Sequence, residues 1–209
     1  MTLNLKQKTK KNQGRFFIIS GPSGVGKGTL VSAAVEALPQ LALSVSATTR
    51  APRPGDEEGV SYHFKSDAEF DELVKHGGLL EWAEVHGRRY GTLSSEVRAA
   101  LDEGRDLILE IDPQGCEQIK AQLPEAVAIF IAPPSLAELK KRLEGRATED
   151  AASIERRLRT AEVEMGMQNR YNVVIVNDNQ HEATQSLLEV ISAGLSEQAP
   201  ADGDPGDAS

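Results

Sequence analysis

Nine residues constrain this chain more than any others: Gly21-Pro22-Ser23-Gly24-Val25-Gly26-Lys27-Gly28-Thr29. They follow the apolar run Phe16–Ser20 and open the helical pattern Lys27–Ala37. A strand, a glycine-rich loop ending in lysine, and then a helix form the context that a phosphate-binding P-loop requires. Glycines let the backbone curl, so that successive N–H groups point inward at phosphate oxygens. The helix N-terminus adds partial positive charge. Lys27 adds a mobile full charge near the β- and γ-phosphates. A plain glycine-rich turn before a helix cap would not need both the motif and this context. By itself the loop does not separate a kinase from an ATPase or a GTPase.

The rest of the chain fits an α/β fold. Short apolar runs at Phe16–Ser20, Leu43–Val45, Leu107–Ile111, Val127–Ile131 and Val173–Val176 read as buried strands. They are apolar throughout more than they alternate, as expected when helices cover both faces of a sheet. Helical patterns follow most of them: Lys27–Ala37, Gln114–Leu123, Leu136–Glu144, Asp150–Asn169 and His181–Leu195. Alternating strands and helices predict a parallel sheet flanked by helices. Ser135 with Glu138, and Ser66 with Glu69, have the spacing of capping boxes. Gly145 and Gly77-Gly78 mark the corresponding stops.

Between the second and third strands the texture changes. Thr48–Arg105 holds a Pro/Gly/charge loop at Ala51–Asp56, then Tyr62-His63-Phe64, then a short helix at Asp67–His76. Leu79–Val85 and Arg88–Tyr90 follow, joined at His86-Gly87 like a hairpin. This segment reads as a small lobe inserted into the core. Lys140–Arg159, with seven Lys/Arg, reads as a second mobile element.

Charge narrows the partners. The 209 residues carry net −9. Residues 1–15 hold five Lys/Arg and no acid, whereas residues 197–209 hold four acids and no base. The body between them carries 18 basic and 28 acidic residues. An acidic body argues against general binding to nucleic acid or to an anionic membrane. No apolar run reaches the roughly 18–20 residues needed to span a bilayer, and no apolar segment follows the N-terminal lysines as in a signal peptide. The single cysteine, Cys116, excludes an intramolecular disulfide and fits a cytoplasmic setting. Monomer and homo-oligomer both remain open.

Candidate acceptor-binding residues lie in the lobe and at strand ends. Arg50 and Arg53, three apart and held by prolines, can fork around a phosphate dianion. Tyr62 and Tyr90 can add hydroxyl donors. Glu81, Glu110 and Asp112 offer carboxylates. Carboxylates suit guanine, whose N1–H and exocyclic amine are adjacent donors.

At this point the sequence resembles guanylate kinase over about residues 14–195. The likeness runs through the P-loop, Thr48-Thr49-Arg50-Ala51-Pro52-Arg53, Glu81-Trp82-Ala83, Tyr90-Gly91-Thr92, Ile111-Asp112-Pro113-Gln114-Gly115, Ala132-Pro133-Pro134-Ser135 and Arg142-Leu143-Glu144-Gly145-Arg146. The Gly-Lys-Gly-Thr ending of the loop is itself like that of nucleoside monophosphate kinases. The resemblance implies transfer of the ATP γ-phosphoryl to GMP, with dGMP as a second acceptor and Mg²⁺ bound with ATP. It implies a P-loop NTPase-type core, a GMP-binding lobe at about 46–104 and a helical lid at about 140–159. Residues 1–13 and 196–209 then remain as a basic and an acidic tail.

Carried over by position, the GMP phosphate would meet Arg50, Arg53, Tyr62 and Tyr90. Guanine would be read by Ser46, Glu81, Thr92 and Asp112. ATP would lie on Gly21 to Thr29. Lys27, Arg142, Arg146 and Arg157 would carry catalysis, with Glu110 or Asp112 orienting Mg²⁺ through water. The usual hydroxyl directly after the lysine is missing: Gly28 stands there, and Thr29 comes one residue later.

Two rivals remain: a related P-loop kinase for a sugar phosphate, and a non-catalytic guanylate-kinase-like module that binds phosphoproteins. The first would not need a guanine reader, and the second tends to lose the P-loop that is intact here. Surface i,i+4 pairing competes with the lid assignment for the charges of Lys140–Arg159. Arg156 and Arg159 read as surface charge, Trp82 as core, and Cys116 as a packing residue. The four histidines show no ligand spacing.

Overall fold

The structure is a computed structural model and describes residues 14–85, 87–145 and 151–193. The chain opens with β1 (Phe16–Ser20), α1 (Lys27–Ala37) and β2 (Leu41–Leu43). It leaves the core for β3 (Ser46–Thr48), β4 (His63–Phe64), α2 (Asp67–Lys75), β5 (Leu79–Val85) and β6 (Arg88–Leu93). It returns through α3 (Ser94–Asp102) to β7 (Asp106–Glu110), α4 (Pro113–Gln122), β8 (Val127–Ala132) and α5 (Leu136–Glu144). Then come α6 (Ala151–Met165), a 3₁₀ turn at Gln168–Arg170, β9 (Val173–Val176) and α7 (Gln180–Ser192).

β2-β7-β1-β8-β9 form one parallel sheet, as the strand–helix alternation predicts. Its residues alternate between two apolar layers. Phe17 and Ile19 of β1 join Leu30 and Val31 of α1, Leu139 and Leu143 of α5 and Leu187 of α7. Phe16 and Ile18 join Val97 and Leu101 of α3 and Ile119 of α4 on the other side. Period-two alternation with apolar residues on both faces gives the unbroken apolar runs of the sequence. Among the described residues no helix is long and apolar enough to cross a membrane.

β4-β3-β6-β5 form a second, mixed sheet in the inserted segment. α2 carries the expected capping box, with Ser66 Oγ accepting from Glu69 N and the Glu69 carboxylate from Ser66 N.

Four expectations need correction. The run Leu43–Val45 is not one strand. β2 ends at Leu43, and the chain then crosses to the other sheet at Ser46, so this apolar stretch straddles two sheets. α3 has no counterpart in the sequence reading. It follows β6 directly, without a side-chain cap at Leu93, so no start signal marks it. Although it falls within 46–104, its Val97, Ala100 and Leu101 pack into the core. The helix expected at Asp150–Asn169 gives way after Met165 to the 3₁₀ turn. Trp82 is not core: it is 38% exposed and packs edge-on against Phe70 at 6.1 Å.

Candidate active site

The P-loop curls from the carboxyl end of β1 into α1, the place where open α/β sheets bind ligands. Lys27 Nζ donates to Gly21 O at 2.6 Å and Pro22 O at 3.1 Å. Behind the loop, the buried Asn177 Nδ2 donates to Val25 O at 2.8 Å. Gly26 sits at φ +100, and a Cβ there would lie 2.7 Å from that amide nitrogen. Glycine is required for both reasons. Asn177 follows β9, and the sequence signal for it was its place at a parallel strand's carboxyl end.

Opposite the P-loop, β3, β6 and β5 place Ser46, Thr92 and Glu81 in one cross-strand row. Alternation along β5 turns Glu81 inward and Trp82 outward, against their polarity. Glu81 is 4% exposed and accepts from Thr92 Oγ1 at 2.7 Å. Burial pushes its carboxyl up to about 7; the Thr92 hydroxyl opposes this and Asp112 adds to it. A Cβ on Gly115 would lie 2.4 Å from Glu81 Oε2, so α4 approaches this closely because position 115 has no side chain.

Arg50 and Arg53 lie on the same cleft. The Arg50 guanidinium stacks over Tyr62 at 5.0 Å and Phe64 at 5.7 Å. Asp56 Oδ2 meets Arg50 Nη2 at 2.8 Å and accepts from Arg53 N at 2.7 Å. Tyr62 and Tyr90 pack edge-on at 6.0 Å. Burial, followed by the Glu110 carboxylate, raises the Tyr62 phenol.

Glu110 and Asp112 diverge. Glu110 faces the P-loop, its carboxylate 3.5 Å from a Cβ built on Gly28. Burial raises its pKa and nearby Lys27 opposes this. Asp112 caps α4, its Oδ1 accepting from Gly115 N at 2.9 Å, on the side of Glu81.

The two halves share one cleft of about 1,100 Å³, at the upper end of ligand-pocket sizes. It is lined by Gly21, Ser23, Gly24, Gly26, Lys27, Gly28 and Thr29 of the P-loop. It is also lined by Ser46, Arg50, Arg53, Tyr62, Glu81, Tyr90, Glu110, Asp112 and Arg157. Thr92 stands behind Glu81, and Val25 is buried under the loop.

The three arginines that the resemblance assigns to a lid or to the phosphates separate. Arg157 Nη2 donates to Ser23 Oγ of the P-loop at 2.6 Å. Arg142 Nη1 donates to Asn177 O at 2.9 Å, with Glu138 Oε1 3.6 Å from its Nε. Arg146 lies outside the described residues. Arg159 pairs with Glu155 at 3.0 Å one helical turn away, as a surface charge should.

Glu164 also lines the cleft, and the sequence reading missed it. Burial pushes it up to about 7, with Lys27 opposing and Asp112 adding. Arg157, Ala161 and Glu164 are spaced i, i+4, i+7, a helical face that the sequence did display.

Comparison with known proteins identifies the family. The family profile for guanylate kinase matches residues 13–194. The guanylate kinase of Rubrobacter xylanophilus is 46% identical over 179 residues, which is 86% of this chain and 94% of that protein. That of Thermobifida fusca is 48% identical over 179 residues, 86% of this chain and 91% of that protein. The crystal structure of guanylate kinase from Anaplasma phagocytophilum superposes with a TM-score of 0.75 at 31% identity, covering 90% of this chain and 89% of that one. Likeness of this extent, in sequence and in shape, means that the chain belongs to the guanylate kinase family.

Proposed function

We propose that this guanylate kinase, which phosphorylates GMP with ATP, does so through the residues that line the shared cleft on both sides. The observation that carries the reading is the row Ser46–Thr92–Glu81, in which Ser46 and Glu81 face the same cleft as the P-loop and Thr92 backs Glu81 from behind. A buried carboxylate supported by a hydroxyl matches two adjacent N–H donors, as guanine presents and adenine does not. Arg50, Arg53, Tyr62 and Tyr90 hold the GMP phosphate, and Asp112 extends the base reader. dGMP fits the same set, since none of these assignments uses the 2′-hydroxyl.

Phosphoryl transfer asks the protein for position and charge. An oxygen of the GMP phosphate attacks the γ-phosphorus, the bond to the β-phosphate oxygen breaks, and ADP leaves. No general base is required, because the attacking oxygen is already anionic. The P-loop amides, Lys27 and Arg157 hold the ATP phosphates and spread their charge. Arg142 and Arg146 are assigned to the same charge from the lid, about 140–159. The lobe, about 46–104, positions the acceptor. Shutting the cleft excludes water and suppresses hydrolysis of ATP.

Mg²⁺ fits the donors present. With no side chain at Gly28, the Glu110 carboxylate reaches over the start of α1. Among the described residues no three His, Cys, Asp or Glu side chains form a cation cage of their own. Glu110, the carboxylate on the P-loop side, would hold the ion through its waters, as suits a cation that dehydrates reluctantly. When bound, Mg²⁺ neutralises charge on the transferring phosphoryl group.

A coupled assay with ATP and a panel of nucleoside monophosphates tests the reading. GMP should exceed AMP, CMP and UMP in kcat/KM by about 10⁴, the discrimination expected of a site built to pair specific donors. Comparable values for GMP and AMP would overturn it.

A further inference from the structure

One carboxylate outside the cleft ties together the strands that carry the base reader and the phosphate reader. Glu96 lies in the first turn of α3, whose Val97, Ala100 and Leu101 are fixed in the core. Its Oε2 accepts from Val45 N at 2.9 Å, with Ser44 Oγ at 3.4 Å. Those two residues are the crossing between β2 and β3. Its Oε1 accepts from His63 Nε2 at 2.5 Å. His63 Nδ1 lies 3.4 Å from Glu58 Oε1, and the other oxygen of Glu58 accepts from Phe64 N at 2.9 Å.

The neighbours of these contacts give them meaning. Val45 is followed by Ser46, assigned to guanine. His63 is preceded by Tyr62, assigned to the GMP phosphate and stacked under Arg50. β3 and β4 are paired at Ala47 and His63. A carboxylate anchored in a core helix thus grips the chain one residue from each half of the acceptor site. Among the described residues the lobe sheet shares no strand pairing with the core sheet. Gln118 and Gln122 of α4 bridge to the backbone of Trp82 and Leu80 in β5, and Glu96 makes a corresponding bridge to Val45 and to His63 of β4.

We propose that Glu96, acting through Val45 N and His63, is a positioning residue that sets the spacing between the guanine and phosphate subsites. The proposal rests on the assignment of Ser46 and Tyr62 to GMP. Without Glu96, base and phosphate can each still be met, but not together without reordering the crossing between β2 and β3. The ATP side does not depend on the contact.

The test compares wild type, Glu96→Ala and Glu96→Gln by calorimetric binding of GMP, guanosine and ATP, and by steady-state kinetics. Loss of hydrogen bonds to a charged group predicts a GMP Kd raised about 10- to 100-fold in Glu96→Ala. The KM for GMP should rise in parallel, with kcat at saturating GMP within about threefold and ATP Kd within about twofold. Guanosine has no phosphate to span and should bind wild type and variant alike. Glu96→Gln keeps one acceptor oxygen, and should fall between the two; it carries the test if the alanine variant does not fold. Combining Glu96→Gln with His63→Ala should cost less than the two single changes together, because they break one contact.

Equal losses for ATP, GMP and guanosine would reveal a merely structural role and overturn the proposal. An unchanged GMP Kd in both variants would also overturn it. Tyr62→Phe serves as the control for the underlying assignment. If it leaves GMP binding unchanged, the site reading fails and the spacing role fails with it. If it weakens GMP binding while the Glu96 variants do not, the spacing role alone fails.

Discussion

Replacing Glu81 by glutamine should push folding and binding in opposite directions. The wild-type carboxyl is 4% exposed and holds its proton up to about pH 7 because burial disfavours the charge. In the unfolded chain it ionises near its ordinary value of 4.5. Below pH 4.5 both states hold the proton, and the group adds no pH dependence. Between 4.5 and about 7 only the folded state holds it, so stability falls as pH rises, and above about 7 the loss is complete. At about 1.4 kcal/mol per pH unit, that interval corresponds to roughly 3 kcal/mol as an upper bound. Glutamine is neutral throughout and can still accept from Thr92. Glu81→Gln should therefore match wild type near pH 4.5 and exceed it at pH 8, by up to about 6–12 °C in Tm for a chain of this size.

GMP binding should respond the other way. The guanine donors need the ionised carboxylate, so wild-type affinity should fall below about pH 7, by up to tenfold per pH unit. A glutamine amide offers one acceptor and sets its own NH₂ against a guanine donor. That mismatch costs about 1–3 kcal/mol, or roughly 5- to 150-fold in Kd, and the pH dependence should flatten. Thermal melts from pH 4.5 to 8.5 and calorimetric GMP titrations read both effects. A Glu81→Gln protein less stable than wild type at pH 8, or with GMP affinity within twofold of wild type, would refute the reasoning.

Three further changes separate the halves of the cleft. Gly115→Ala sets a methyl 2.4 Å from Glu81 Oε2, so it should weaken GMP binding at least tenfold while leaving ATP binding near wild type; equal losses for both in titrations would count against the assignment. Arg157→Ala should lower kcat by about 10²–10⁴ with little change in Tm, taking arginine-finger effects as the guide; a near-normal kcat in the coupled assay would remove it from the catalytic set. Asn177→Ala leaves the Val25 carbonyl without its buried donor and should lower stability by about 1–3 kcal/mol and weaken ATP more than GMP; unchanged ATP affinity would show that the loop holds its shape without this brace.

Much of the site was legible because its chemistry is local in sequence. Glycine spacing before Lys27 follows from the curvature of a backbone around phosphate, so the loop announces itself without tertiary information. Arg50 and Arg53 are likewise held by neighbouring prolines and by Asp56, six and three residues on. The parallel sheet was visible because doubly covered strands are apolar throughout. Other features were not legible, since they arise only on contact. The break between Leu43 and Ser46 separates two sheets that the apolar pattern runs through unmarked. α3 begins without a cap because β6 delivers the chain directly into it. The Glu81/Trp82 inversion depends on which face of β5 meets the cleft, and period two alone cannot choose that face.

The sequence alone determined the phosphate cradle, the α/β architecture and the residue types that can read guanine, because each depends on spacing within a few residues. Tertiary structure decided which carboxylates share a surface: it divided Glu110 from Asp112, set Glu81 against Gly115, and brought Glu164 and Asn177 to the P-loop. It also brought Glu96, 51 residues from Val45, to the crossing between β2 and β3. Burial, and hence the raised pKa of Glu81 and Glu164, exists only when distant segments exclude water from the same place.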